Sequence, residues 1–564
     1  MSRSARVTKK RPWQDIAREA QEYRDASIDK IEPSVPDIPT ELPRDVMKIP
    51  SEVLEPEEIR ITSLPPEELV QLLASGQLTA TTVTKAFLRR AGLAQKLVNC
   101  VTELLPERSL ARAKYLDDYF LEHKRPIGPL HGLPISVKEH IGMEGLRLSA
   151  AYVDWWQKVA KEDAHILQIF WLAGAVFHVR TTEPQSMMHL ETDSNLYGVT
   201  VNPYNSNVSA GGSSGGEGAL IALRGSCLGI GSDVGGSIRS PAANNGLYGF
   251  KPTAFRVPTD GWGFVMAGAD CIDTVVGPLS TSLGGLKLFM NTIISSKPWL
   301  SEPAIIPIPW NSSYAITPFQ PLKIGVLWHD NVVKPHPPIT RALQSVAERL
   351  KTLPNVSVVD WQPHLHDEAW AIISSLYFTD GGAEDTAAIA ASGEPWRPLT
   401  KWIIKENPCV KNLSTGELSY WLEEREAYRK EYAKVWNDTA TGQDPLTGEP
   451  QGAVDVILCP AGPGVAPAHN TARYWSYTSQ WNLLDYPAVV FPVDKVNAGK
   501  DCVEEGYKPM SGQDQDNWKL YDPQLFDGLP ISLQLVGRRF EDEKVLAVLE
   551  YIKDSINLPL VNFP

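Results

Sequence analysis

The stretch Ser209–Ala242, SAGGSSGGEGALIALRGSCLGIGSDVGGSIRSPA, contains two glycine pairs that each deliver a serine, Gly211-Gly212-Ser213 and Gly235-Gly236-Ser237. A flexible tether, a phosphate cradle and a catalytic loop all begin this way. A Gly/Ser tether carries no aliphatic blocks, yet ALIAL and CLGI run straight through this one. A phosphate cradle needs GxxxxGK[ST], or GxGxxG behind a strand; no lysine stands between Ser209 and Phe250, and the glycine spacing fits neither template. What remains is hydroxyl chemistry, and a serine is a poor nucleophile until a base takes its proton. None of the eleven histidines lies inside the stretch, so a Ser-His-Asp arrangement would need a distant and unmarked partner. The upstream GPLHGLPISVKEHI offers another base. Strand alternation puts Ser136, Lys138 and His140 on one side and Ile135, Val137 and Glu139 on the other. A lysine amine titrates near 10.4 in water, and desolvation lowers that by several units, leaving a neutral proton acceptor near pH 7. On this strand alone, a surface lysine paired with a carboxylate is the more ordinary alternative.

Such groups need a rigid frame, and the sequence supplies one. LPISVKEHI, AVFHVRT, LGIGS, LKIGVLW, VSVVDW, VDVILCP, PAVVFPV and LPISLQLVG read as short apolar strands. Helical patterns fall between them at 164–173, 214–224, 339–352, 417–437 and 541–556, with Gly174 a stop before AVFHVRT. Near-continuous apolar strands separated by helices imply an α/β protein: a large mixed, mostly parallel β-sheet covered by helices on both faces. Residues 13–29 read as one amphipathic helix. Pro33, Pro36, Pro39, Pro43, Pro50 and Pro56 then deny the following stretch a regular helix. Residues 1–60 thus read as an extension laid over a main domain, 61–564.

The totals narrow the partners. The chain has 564 residues, a formal net charge of -14 and 43% hydrophobic residues. A polyanion is repelled overall, the RVTKKR stretch near the start being the one basic run, so no nucleic-acid partner is expected. The most apolar window, His165–Val179, is broken by Gln168 and His178 and falls short of the roughly 18 residues of a membrane span. Six scattered cysteines show neither zinc spacing nor a disulfide framework, which with no secretory pattern points to the cytoplasm.

GGSSGGEGALIA…GIGSDVGGSIRSPAANNGLYGFKPT behind GLPISVKEHI closely resembles the amidase signature family, whose members hydrolyse amide bonds with a Ser-Ser-Lys triad. The resemblance runs from about residue 60 to the C-terminus, and HKRPIGPLHGLPIS, PHPPI and SGEP are closest to the fungal acetamidase or general amidase branch. It implies Ser237 as the acyl-accepting nucleophile, Ser213 as the bridging serine behind a cis Gly212–Ser213 peptide, Lys138 as the base, and Met187 on the substrate wall. DVGGS would offer the backbone N–H groups of Val234, Gly235, Gly236 and Ser237 to an oxyanion. Asp233 and Arg239 are expected to pair and brace this loop, Ser214 to cap the following helix or assist by hydrogen bonding, and Cys227 to be inert. The implied reaction takes a carboxylic amide, small and aliphatic or aromatic, to the acid plus ammonia or amine through an acyl-enzyme, with no cofactor and no metal. A catalytically silent amide-binding or scaffold member, and a fatty acid amide hydrolase-like lipid amidase, are the alternatives. A homodimer is left open. Trp155, Trp156, Trp262, Trp475 and Tyr477 are candidates for an aromatic pocket lining.

Overall fold

A computed structural model describes residues 11–563, so most of the basic RVTKKR stretch lies outside the described residues. Eleven strands make one sheet: β1 (Val101–Leu104), β2 (Pro134–Lys138), β3 (Val176–Thr181), β4 (Leu228–Asp233), β5 (Tyr248–Lys251), β6 (Val275–Ser280), β7 (Leu322–Val326), β8 (Val356–Asp360), β9 (Val456–Pro460), β10 (Ala488–Lys495) and β11 (Pro530–Val536). Their spatial order is β1-β3-β2-β4-β6-β5-β10-β11-β9-β7-β8. Of the helices, those that bear on the site are α1 (Trp13–Ile28), α2 (Ala80–Val98), α3 (Gly215–Ala222), α4 (Arg239–Asn244), α5 (His366–Tyr377), α6 (Ala383–Ser392) and α7 (Ser476–Leu483).

Every strand expected from the sequence is present, and the sheet is mixed, but its balance differs from expectation. Parallel pairing is confined to β3-β2-β4 and to β9-β7-β8; the other neighbours run antiparallel. Part of the difference is that the expected β11 runs antiparallel to both β9 and β10; the rest comes from β1, β5 and β6, which the reading missed and which pair antiparallel with their neighbours. The first two are four residues long, and β6 carries Gly277 and Pro278 in its interior, a composition that argues against a central strand.

Apart from the edge strand β8, which has no fully buried residue, the strands are buried through most of their length, β2 and β4 completely, and aliphatic side chains of the sheet join a large core with helices on both faces. Helix α2 starts at Thr79, whose hydroxyl accepts from the Thr82 N–H, and stops at Asn99 in the left-handed conformation. Its outer face is covered by Ile31, Val35, Val46 and Ile49 of the proline-rich stretch, while α1 packs Ala20 against Val153, Trp156 and Leu196. No helix among the described residues is long and apolar enough to cross a membrane.

Candidate active site

Lys138 and Asp233 are the last residues of β2 and β4, neighbouring parallel strands, so both project from carboxyl ends of the sheet, where open α/β sheets bind ligands. Ser213 comes just before α3 and Ser237 just before α4. Strand alternation sorts the faces as expected: Ile135 and Val137 enter the core, while Ser136 and Lys138 turn to polar partners. Lys138 has no exposed surface, and its Nζ lies 2.7 Å from Ser213 Oγ and 3.1 Å from Ser232 Oγ. A surface lysine paired with a carboxylate is therefore not what the strand carries. Burial lowers the amine to about 8, against an opposing pull from the Glu183, Asp233 and Glu217 carboxylates. His140 Nε2 lies 2.9 Å from the Ser232 hydroxyl. Burial, then the Lys138 and Arg180 charges, hold that imidazole well below its ordinary value, so it is neutral. The Gly212–Ser213 peptide is cis.

Behind Ser237 lies a brace. Asp233 and Arg239 are fully buried and paired at 2.9 Å; the guanidinium also donates to Thr478 O at 2.8 Å and to Asn482 Oδ1, both on α7. Asp233 accepts from the N–H groups of Gly236 at 2.9 Å and Ile238 at 3.1 Å, on either side of Ser237. Burial alone would raise this carboxyl, but the Arg239 charge and the hydrogen bonds from Arg239 and Asn482 outweigh it and pull it to about 2. The Asp233–Arg239 pair is thus structural, as expected, and α7 is an anchor that sequence reading missed.

Two more missed residues aim the loop. Tyr377, at the end of α5, donates to Val234 O at 2.9 Å, and Thr478 Oγ1 donates to Gly235 O at 2.6 Å. In a trans peptide the N–H points opposite the carbonyl, so each anchored oxygen fixes the following N–H. Anchoring Gly235 O turns the Gly236 N–H onto Asp233, which removes it from the donors expected to face an oxyanion. The N–H groups of Val234, Gly235 and Ser237 have no acceptor among the described residues. Gly236 takes φ +129°, and a Cβ there would stand 2.4 Å from Thr478 Oγ1, so glycine is required. Ser214 does not cap α3; its hydroxyl contacts the Ser232 backbone at 3.4 Å. Burial pushes the Cys227 thiol up to about 12, which leaves it unreactive.

On the other side of Lys138, the fully buried Glu217 of α3 accepts from Ser136 at 2.5 Å and Thr181 at 2.8 Å. Gly229 is the residue that admits it, since a Cβ there would lie 1.8 Å from Glu217 Oε2. Burial drives this carboxyl up to about 7, against the two hydroxyl bonds and the Lys138 charge.

Ser213, Ser237, Ser232 and His140 line one cavity of about 120 Å³. Met187 lines it too, as expected, and with Ser186 it takes a positive φ. Of the five aromatic candidates only Trp262 reaches this wall; Phe264, Tyr377 and Phe378 supply the others. Trp156 packs under α1, Trp155 against Tyr152, Trp475 against Tyr377 and Trp402, and Tyr477 lines a separate cavity of about 630 Å³. Residues that meet only through long sequence separations, such as Tyr377 and Thr478, left no local signal. Ser232 did, as a hydroxyl one residue before Asp233 in the same motif.

Comparison with known proteins agrees with this geometry. The chain is 38% identical over 558 residues to an acetamidase of Aspergillus oryzae, covering 96% of this chain and 98% of the relative. It is 38% identical to an acetamidase of Emericella nidulans, covering 89% and 91%. Among solved structures, a fatty acid amide hydrolase superposes with a TM-score of 0.90 at 33% identity, covering 97% of this chain and 96% of that one. With the Amidase family model matching residues 82–546 as well, the chain belongs to the amidase family and is a hydrolase acting on amide bonds.

Proposed function

We propose that the protein hydrolyses small aliphatic or aromatic carboxylic amides to the acid and ammonia or an amine, through an ester on Ser237. The observation that carries this reading is the Lys138 amine, fully buried and 2.7 Å from Ser213 Oγ, beside a cavity that Ser213 and Ser237 share. With its pKa near 8, the amine is neutral in a useful fraction at neutral pH. It takes the Ser213 proton as Ser213 takes that of Ser237, and Ser237 Oγ bonds to the amide carbon. The carbonyl electron pair moves onto oxygen, where the Gly235 and Ser237 N–H groups receive it, with Val234 the remaining candidate. Collapse breaks the C–N bond, and the departing nitrogen takes the proton back through Ser213. Water then attacks the ester by the same relay and restores Ser237.

Cavity size favours small acyl groups. A space of about 120 Å³ is near the roughly 150 Å³ that takes a benzene-sized guest. All six cysteines are free thiols, which supports the cytoplasm as the location.

A fluorophosphonate probe followed by peptide mapping tests the reading. Label is expected on Ser237 and absent from Ser237→Ala. Folded wild-type protein that takes no label, and releases no ammonia from acetamide, benzamide or phenylacetamide, would favour the silent binding member instead.

A further inference from the structure

The catalytic cavity holds an ionisable group that the relay does not use. Asp385 of α6 lines the same wall as Met187, Val265 and Phe378 and has no exposed surface. The Tyr152 hydroxyl donates to its Oδ1, while Oδ2 is buried with no hydrogen-bond partner among the described residues. Ser186 Oγ, on the same wall, is likewise buried without one. Lys405 acts on Asp385 only as a more distant charge, its amine being hydrogen-bonded to Thr386.

This arrangement is built. The Tyr152 ring packs on Trp155 at 4.8 Å between centroids, and its hydroxyl fixes the carboxyl by one oxygen. Glu384, the adjacent residue, accepts from the Met266 N–H at 2.7 Å and so ties the Trp262–Thr274 part of the wall to the same helix. A buried carboxylate oxygen without a donor costs folding free energy, so it points to a donor that arrives with a ligand. Burial pushes this carboxyl up to about 7, the Tyr152 bond opposing and Asp380 and Glu384 adding to the rise. At pH 8 it is mostly ionised, and Oδ2 is then purely an acceptor.

We propose that Asp385 is a specificity-determining residue that accepts a hydrogen bond from an O–H or N–H group on the acyl portion of the amide. The preferred substrates are then short or aromatic acyl amides that carry such a donor, rather than their plain hydrocarbon counterparts. This rests on the proposed hydrolysis at Ser237. A pocket that pairs a substrate hydroxyl discriminates strongly against the analogue that lacks it, because the pocket's own polar group is then left bare.

The test compares kcat/KM at pH 8 for phenylacetamide and its 2-, 3- and 4-hydroxy isomers. In the wild type at least one isomer is expected to exceed phenylacetamide by about tenfold or more. Asp385→Asn keeps the Tyr152 bond and places an NH₂ donor where Oδ2 was. The hydroxyl preference should collapse, and pyridylacetamides, with an acceptor in a ring of the same size, should gain on phenylacetamide. Calorimetric binding of the same amides to the Ser237→Ala protein reads the preference without turnover, and decides the matter should Asp385→Asn fail to fold. Equal rates and equal binding for all isomers, with phenylacetamide still hydrolysed, would overturn the role of Asp385 and leave the hydrolase reading intact. So would a hydroxyl preference that survives in Asp385→Asn. Absence of both hydrolysis and Ser237 labelling would remove the hydrolase reading and this inference with it.

Discussion

Two carboxylates are buried in one site, and their protons are driven in opposite directions. Asp233, behind Ser237, is pulled to about 2, while Glu217, behind Lys138, is pushed up to about 7. Burial penalises the charge on both. Asp233 meets a guanidinium fork and an amide; Glu217 meets only the hydroxyls of Ser136 and Thr181, with the Lys138 charge as a weaker aid. A full positive charge in direct contact outweighs desolvation, and neutral donors do not. The Ser237 side therefore has a fixed charge and a fixed backbone. The Lys138 side has groups that titrate close to one another, near 7 and near 8.

The largest effect should come from the proposed relay, Lys138–Ser213–Ser237, that lies between these two regions. Ser237→Ala is expected to lower kcat by about 10⁴-fold or more, measured as ammonia release. Lys138→Ala should do nearly as much damage, with its residual rate recovering at high pH as hydroxide replaces the amine. Wild-type turnover in both would refute the relay. Next comes the brace. Arg239→Met strands Asp233 as an unpaired buried charge, and removing one partner of such a pair costs about 3–5 kcal/mol. Thermal unfolding reads this loss. The sign against pH is fixed by the depressed carboxyl: its stabilisation is present above the unfolded value near 3.9 and is lost as pH falls towards about 2. The gap in melting temperature between wild type and Arg239→Met should therefore narrow below pH 4. A gap that stays constant would mean the pair is not what stabilises the loop.

A smaller effect separates aiming from bracing. Tyr377→Phe removes one hydroxyl from Val234 O and leaves Asp233 and Arg239 in place. If that hydroxyl aims the Gly235 N–H, kcat should fall by about tenfold with little change in KM, a fraction of what losing a whole oxyanion donor costs. Equal change in both constants would assign Tyr377 to the cavity wall alone.

How far the sequence could go follows the same division. Lys138, Ser213 and Ser237 were legible because strand alternation and glycine pairs are local, and the eight expected strands were legible because apolar runs are local too. Strands β1, β5 and β6 were not, since β6 hides a Gly-Pro pair in its centre and β1 and β5 have only four residues each. Tyr377, Thr478 and Asn482 were illegible for a different reason: each acts on Val234–Arg239 across more than a hundred residues of chain, and no spacing rule reaches that far. The bond from the Gly236 N–H to Asp233 was illegible for the same reason, since it follows from the Thr478 hydroxyl on Gly235 O.

The smallest effect probes the titrating side directly. As pH rises through 7, Glu217 loses its proton, and the new negative charge favours the protonated form of Lys138 just as that amine begins to titrate near 8. Two groups coupled in this way titrate over a broader range than either would alone. In the wild type, log kcat/KM should thus climb with a slope below one between pH 7 and 8. Glu217→Gln keeps the shape and the two hydroxyl partners but cannot ionise. Its profile should match the wild type below pH 6, rise with a slope of one, and reach its plateau at lower pH, with a gain near pH 8 of about threefold or less. Superimposable profiles would mean that the amine does not sense Glu217, and that its lowered value comes from burial and the remaining carboxylates alone.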